Sequence, residues 1–297
     1  MLSFSPITLD AMEEIVPYLG KGKYRISDYA PGTIFQWRAY MHSEYAVVDG
    51  MLIMTLLNED GTRGYMYPVG AGAVNNALEA IEADAAERRI PLLYCAVPEE
   101  GLTVLQARYG SRAEARALRQ WADYLYDWKL LVDFPGRKYH TQRNHYNRFK
   151  KENPNHRFVP VTEETLPAAK VFLAEYQQYA SINKPIEAEE MLRAQELLRH
   201  VPQLHQKAGY IETEDGVIVA LAIGEVLYDT LYVHVEKART DYPGAYQAIV
   251  SQFAQYAAEP DTLFINREDD SGDEGLRYSK MEYRPLRLLE KYWVYIG

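Results

Sequence analysis

A chain of 297 residues, 47% of them hydrophobic, with a formal net charge of −10, has room for two medium domains and ample material for a core. No apolar run approaches the ~20 residues of a membrane span. The acidic, proline-bearing start MLSFSPITLDAMEEIVPYLG is unlike a signal peptide, so a soluble, cytoplasmic protein without a transmembrane segment is expected.

The first element is a short helix from Leu9 to Leu19, with Thr8 as its N-cap and Met12, Ile15, Val16 and Leu19 at helical spacing. EYAVVDGMLIMTLLNEDGTRGYMYPVG then reads as three strands, with Asp49-Gly50 and Asp60-Gly61 supplying the turns. A helix over Ala71 to Arg89, a strand over Pro91 to Val97 and a short helix over Gly101 to Tyr109 follow. The one cysteine, Cys95, lies in the apolar run PLLYCAVP as a buried strand residue, and it excludes an internal disulfide or a cysteine-rich metal site. AEARALRQWADYLYDWKLLVDF crowds Trp121, Tyr124, Tyr126 and Trp128 into an element that must pack tightly.

The second half repeats this order. Helices over Leu166 to Gln178 and Glu187 to His200 are joined by a polar connection with Pro185. Three strands follow (Ala208 to Glu214, Val217 to Val226, Thr230 to Val235), then a helix from Ala245 to Ala258 and a strand from Thr262 to Asn266. Each half thus reads helix, antiparallel strands, helix, strand, a weak repeat of structure rather than of sequence. It implies an α+β fold of two domains, residues 1–135 and 136–297.

The charge is uneven. Residues 136–157 hold 7 Lys+Arg against 1 Asp+Glu, in a chain that totals 32 against 42. On a helix, Tyr139, Tyr146 and Phe149 gather on one side, and His140, Arg143, Asn147, Lys150 and Lys151 gather on the next, with Asn144 at its edge. Pro154 ends the helix. So few acids point to a phosphate-bearing partner, an RNA backbone or a phosphorylated metabolite, although a solvated amphipathic helix has the same outline. The overall acidity excludes a dedicated DNA binder.

LYVHVEKARTDYPGAYQAIVSQFAQYA is a strand, a polar loop and a helix opened by Gly244 and Ala245, an order that can hold a phosphate at a helix start. Past the next strand the chain turns to charge: Asn266, Arg267, Glu268, Asp269, Asp270. Alternation along a continuing strand puts Asn266 and Glu268 on one face. Arg277 and Lys280, three apart, share a helical face, where they serve either a donor phosphate or ribose or structural salt bridges to Asp269 or Asp270. His234 is the best-placed candidate for a general base, and it also reads as a satisfied strand histidine. No His, Asp or Glu spacing has metal-site quality, and no GxSxG elbow or phosphate-loop lysine motif is present.

KYHTQRNHYNRFKKENP, HVEKARTDYPGAYQAI, NREDDSGDEGLRYSKMEY and LLEKYWVY together resemble the soluble short form of the phosphatidylglycerol lysyltransferase C-terminal family, over about residues 20–297. That family is related to the Fem peptidyltransferases and is built from two tandem GNAT-like acyltransferase domains, each a mostly antiparallel sheet flanked by helices. The resemblance implies transfer of an acyl or aminoacyl group from aminoacyl-tRNA or acyl-CoA to an amine or hydroxyl, with no tightly bound cofactor. It implies tRNA at the 137–157 basic segment and a small molecule or lipid headgroup as acceptor. It places Glu268, His234 and Lys291 in the chemistry, with Glu268 pairing the amine of an aminoacyl group and Lys291, beside Tyr292, facing the tetrahedral oxygen. Gly244, Ala245, Tyr246, Asn266, Arg277 and Lys280 line the donor. A non-catalytic GNAT-like module that binds RNA or a phosphorylated metabolite is the alternative.

Overall fold

Positive φ at two consecutive residues is what a type I′ hairpin turn demands, and Asp49 (φ 47) and Gly50 (φ 77) supply it between strands Glu44–Val48 and Met51–Leu57. The computed structural model describes residues 2–58, 60–179 and 185–297; the polar connection expected ahead of Pro185 lies at 180–184, outside the described residues. The chain divides into two compact units. The first is Met1–Asp123 with Asp269–Glu274 and Leu288–Gly297, and the second is Tyr124–Glu268 with Gly275–Arg287. The boundary read from sequence lay at residue 135, and it missed that two late pieces of chain return to the first unit.

In the first unit the strands lie in the order Ser5–Pro6, Glu44–Val48, Met51–Leu57, Arg63–Met66, Leu92–Val97, Tyr292–Ile296, Ala113–Ala117. Arg63–Met66 and Leu92–Val97 are parallel, because helix Val74–Arg88 carries the chain back between them. The C-terminal strand Tyr292–Ile296 runs antiparallel to both of its neighbours. Ile53, Tyr65, Leu78, Ile81, Tyr94, Leu105 and Val294 form the core. The first helix spans Ala11–Gly22 with Asp10 at the N-cap position, but Thr8 Oγ1 still accepts the Ala11 N–H at 3.2 Å.

The second unit repeats the plan. Asp123–Asp127, Phe264–Asn266, Thr230–Ala238, Ile218–Leu227, Lys207–Glu212 and Arg157–Pro160 run side by side. Its parallel pair is Thr230–Ala238 with Phe264–Asn266, joined by helix Ala245–Ala257. That helix buries Ala248, Ile249, Phe253 and Ala257 against the sheet, in keeping with their 3.6-residue period. The aromatic-rich stretch read as one element is two strands in different sheets, Ala113–Ala117 and Asp123–Asp127, followed by helix Trp128–Asp133. The α+β class with helix-flanked, mostly antiparallel sheets is as expected. Among the described residues no helix is long and apolar enough to cross a membrane.

Candidate active site

Parallel pairing between Thr230–Ala238 and Phe264–Asn266 stops at Tyr232↔Asn266, while the first strand continues to Ala238 beside Ile218–Leu227. Just past this point on the neighbouring hairpin, Gly224 pairs with Val233 and Ile223 with Val235, so His234 is the extra residue of a β-bulge. A bulge places two residues opposite one and breaks alternation. Gly224 makes room for it: a Cβ there would lie 2.1 Å from the Tyr232 carbonyl oxygen.

The bulge brings His234 between two carboxylates. Its Nε2 lies 3.0 Å from Glu225 Oε1 and its Nδ1 lies 2.9 Å from Glu268 Oε1. Burial by itself would lower the histidine pKa, but hydrogen bonds to Glu225 and Glu268 and the charges of both outweigh it and push it up to about 9. At neutral pH the ring is therefore an imidazolium that donates to both acids. That is the opposite of the general base expected from its place on the strand. Along the row the side chains of Glu268, His234 and Glu225 are 21%, 0% and 8% exposed, so Glu268 is the end most open to solvent.

His234 therefore makes a pH prediction. A histidine pKa raised from 6.5 to about 9 stabilises the fold fully below about pH 6.5, and the contribution disappears as the pH rises through 9. About 3 kcal/mol of unfolding free energy should be lost across that window. Urea titrations at pH 6 and pH 10 measure it, and His234→Gln should flatten the difference.

Glu268 is held from several sides. The strand ends at Asn266, so the alternation expected to put Asn266 and Glu268 on one face does not continue. Asn266 is instead fully buried, and its Oδ1 accepts the Glu268 N–H at 2.7 Å, an Asx-type turn. Glu268 itself takes φ 55, a conformation that costs a non-glycine residue on the order of 1 kcal/mol. Its carbonyl accepts the Tyr124 N–H at 3.1 Å, and Arg267 N–H donates to Tyr124 O at 3.1 Å, so the strained residue is pinned on both sides. Arg267 pairs with Glu236 at 2.5 Å and lies over the Tyr283 ring at 4.5 Å. This ion pair ties together the two segments just beyond the point where their strand pairing ends.

The remaining expected residues fall into three groups. Lys280, on helix Glu274–Glu282, is buried, and its Nζ donates to Arg267 O at 2.6 Å, which braces the turn. Arg277 on the same helix is half-buried. Lys291 belongs to the first unit. There its Nζ lies 2.7 Å from Asp28, 2.8 Å from Asp123 and 3.5 Å from Asp269, and it donates to Ser27 Oγ at 3.2 Å. Burial works against its charge, but the three aspartates overcome this and raise its pKa well above the ordinary value. Lys291 is thus the hub of a buried ion cluster, which no spacing in the sequence announced.

Gly244 and Ala245 open helix Ala245–Ala257 for a packing reason. Gly244 has φ 87, and a Cβ there would lie 2.1 Å from His145 O, so the glycine lets the basic helix approach. Ala245 is buried, with its N–H donating to Tyr242 O at 3.0 Å, and the Tyr246 hydroxyl lies 3.1 Å from that of Tyr176. Gly244→Ala should cost about 1–3 kcal/mol from the left-handed backbone and the clash, read as a lower urea midpoint.

The basic helix spans His140–Glu152. Tyr139 and Phe149 are buried and Tyr146 is half-buried, as the helical pattern predicts. His140, Asn147, Lys150 and Lys151 are exposed. Arg143 departs from that stripe, because its Nη1 donates to Phe134 O and Gly136 O, both at 2.7 Å, and clamps the preceding turn. Asn144 bonds His140, and the Lys150 ammonium lies 4.4 Å from the Tyr146 ring centre. Glu225 was missed. It is one acid in the apolar run IVALAIGEVL, and that isolation is the only trace the sequence carries of it. Among the described residues no group of three or more His, Cys, Asp or Glu is arranged to hold a metal ion.

Comparison with known proteins agrees with this architecture. The family model described as phosphatidylglycerol lysyltransferase, C-terminal, matches residues 22–295, and the chain belongs to that family. A conserved protein of unknown function from Bacteroides thetaiotaomicron is 29% identical with a TM-score of 0.94, each chain covered in full. L-PGS from Bacillus licheniformis shares the fold at 15% identity and a TM-score of 0.69, covering 100% of this chain and 94% of that one. FemX does so at 10% identity and a TM-score of 0.63, covering 100% and 98%. An uncharacterized protein of Mycoplasmoides gallisepticum is 24% identical over 174 residues, 58% of this chain and 55% of that protein, so the match spans about half of that relative's length.

Proposed function

We propose that this protein transfers an aminoacyl group from an aminoacyl-tRNA to an amine or hydroxyl, on a small molecule or a lipid headgroup, and that Glu268 receives the ammonium of the aminoacyl group. The observation that carries this is the strained, partly exposed Glu268 carboxylate, braced by His234 where the parallel strands part. Such strain persists where the surroundings overdetermine it, and it clusters at functional sites. Membership of the phosphatidylglycerol lysyltransferase C-terminal family supports aminoacyl transfer as the reaction class.

In the reaction the acceptor nitrogen or oxygen bonds to the aminoacyl carbonyl carbon, and the ester bond to the terminal ribose of the tRNA breaks. The acceptor's proton ends on the released ribose hydroxyl. An activated ester needs chiefly orientation and stabilisation of the tetrahedral oxygen. His234, already a cation, is a brace in this scheme rather than the base. Acyl-CoA is the less favoured donor, because a pantetheine arm entering between the parted strands would have to displace the Arg267–Glu236 pair. The exposed His140, Asn147, Lys150 and Lys151 supply a phosphate-facing side for the tRNA.

The test is incubation of the pure protein with tRNAs carrying radiolabelled amino acids and, separately, with labelled acetyl-CoA, each with mixed amine and hydroxyl acceptors. Label leaving tRNA for an acceptor supports the reading; label moving only from CoA, or tRNA bound without transfer, overturns it. The last outcome would favour the non-catalytic binding module, whose motive is the sparse Gly244-Ala245 helix start. Lys150→Glu with Lys151→Glu should weaken tRNA binding and lower the slope of log affinity against log salt by roughly 2.

A further inference from the structure

Glu225 is buried, on a strand whose neighbours are aliphatic, and a carboxylate in that position is expensive unless something requires it. It does not reach the solvent-facing end of the site. It meets the Nε2 of His234 at 3.0 Å, on the far side of the ring from Glu268.

Its place in the row makes its role specific, because two carboxylates share one imidazole, one at each ring nitrogen. Solvent reaches that row chiefly at Glu268, the 21% exposed member. The imidazole also has two distinct nitrogens, and which one carries hydrogen is set by what the other meets. An acceptor at each end leaves the ring no orientation except the one that donates to both. The bulge fixes the backbone that makes this double contact possible.

We propose that Glu225 is a positioning residue: it locks His234 as a two-donor bridge, and through that bridge it holds Glu268 in the single orientation that receives an incoming ammonium. The inference rests on the reading of Glu268 as the ammonium-binding carboxylate, and it adds a residue that touches no substrate. A misplacement on the order of 1 Å in a positioned group can cost about 100-fold in rate, and Glu225→Gln should lower kcat by about that factor.

The experiment uses the full chain labelled with ¹⁵N in histidine, observed at pH 8. In the wild type both ring nitrogens of His234 should resonate as protonated. In Glu225→Gln, which keeps the size of the side chain and removes its charge, one nitrogen should move to the unprotonated range. Glu268→Gln is the second variant: it leaves the Glu225 contact intact, so Nε2 should keep its proton while the Nδ1 signal shifts. That arm stands even if Glu225→Gln does not fold. Turnover with charged tRNA is then compared, and kcat should fall in Glu225→Gln with KM for the acceptor unchanged. A His234 spectrum untouched by Glu225→Gln overturns the proposal, as does a changed spectrum with wild-type turnover. The spectra need no donor. A wild type that transfers nothing, yet shows His234 bridged through Glu225, retains the bridge and removes the transferase reading and the ammonium with it.

Discussion

Lys291→Met is expected to destabilise the first unit by about 3–5 kcal/mol, the cost of stranding buried charge when one partner of an ion pair is removed. The reason is the geometry of the cluster. Lys291 is 4% exposed in its side chain, and Asp123 beside it is 0% exposed. Asp123 also accepts the Ser27 backbone N–H and the Ser27 hydroxyl, so its carboxylate cannot turn toward water without breaking those bonds. Methionine matches the length of the lysine stem but leaves Asp28, Asp123 and Asp269 facing one another. Asp28 already shows the stress, since burial above all raises its pKa even with the lysine present. Urea unfolding of the whole protein measures the effect. Adding Asp123→Asn to Lys291→Met should recover part of the loss, because it removes one of the stranded charges. A Lys291→Met protein as stable as the wild type would show that the cluster contributes nothing to the fold.

Glu268→Ala is expected to lower kcat/KM for transfer from charged tRNA by roughly 100- to 1000-fold, about 3–4 kcal/mol of lost transition-state stabilisation. The carboxylate is the proposed partner of the donor's ammonium, and its removal also frees His234 Nδ1 from its acceptor. Stability should change far less than activity, because alanine gives up the hydrogen bond to His234 while keeping the Asn266 turn that positions the backbone. Steady-state kinetics with one charged tRNA and one acceptor separates the two effects. A variant that folds and turns over like the wild type would place the amine contact elsewhere.

Two residues of one short stretch sit in very different surroundings. Lys291 and Glu268 both stood out as charges near the C-terminus. The structure assigns Lys291 to a buried ion cluster in the first unit and Glu268 to a strained turn in the second. A carboxylate that remains 21% exposed can meet a ligand; an ammonium enclosed by three aspartates holds chain segments together.

Local pattern was enough to read most of the elements. Asp-Gly pairs between apolar runs marked the hairpins, 3.6-residue spacing marked the helices, and the scarcity of acids in 136–157 marked the basic helix with its buried Tyr139 and Phe149. These features depend on neighbours a few residues away, so the amino-acid order alone determined them, and the two-fold repeat of the α+β plan followed. Tertiary structure decided what depends on distant partners. Tyr292–Ile296 closes the first sheet by pairing with Leu92–Val97, and no local signal names a partner so far along the chain. His234 reads from sequence as an ordinary alternating strand residue; the register of a second strand makes it the bulge and delivers it to Glu225 and Glu268. Charge state followed from that placement, since two carboxylates at hydrogen-bond distance turned an apparent base into a cation. The family resemblance singled out Glu268, and only the fold supplied the turn, the bridge and the buried acid that surround it.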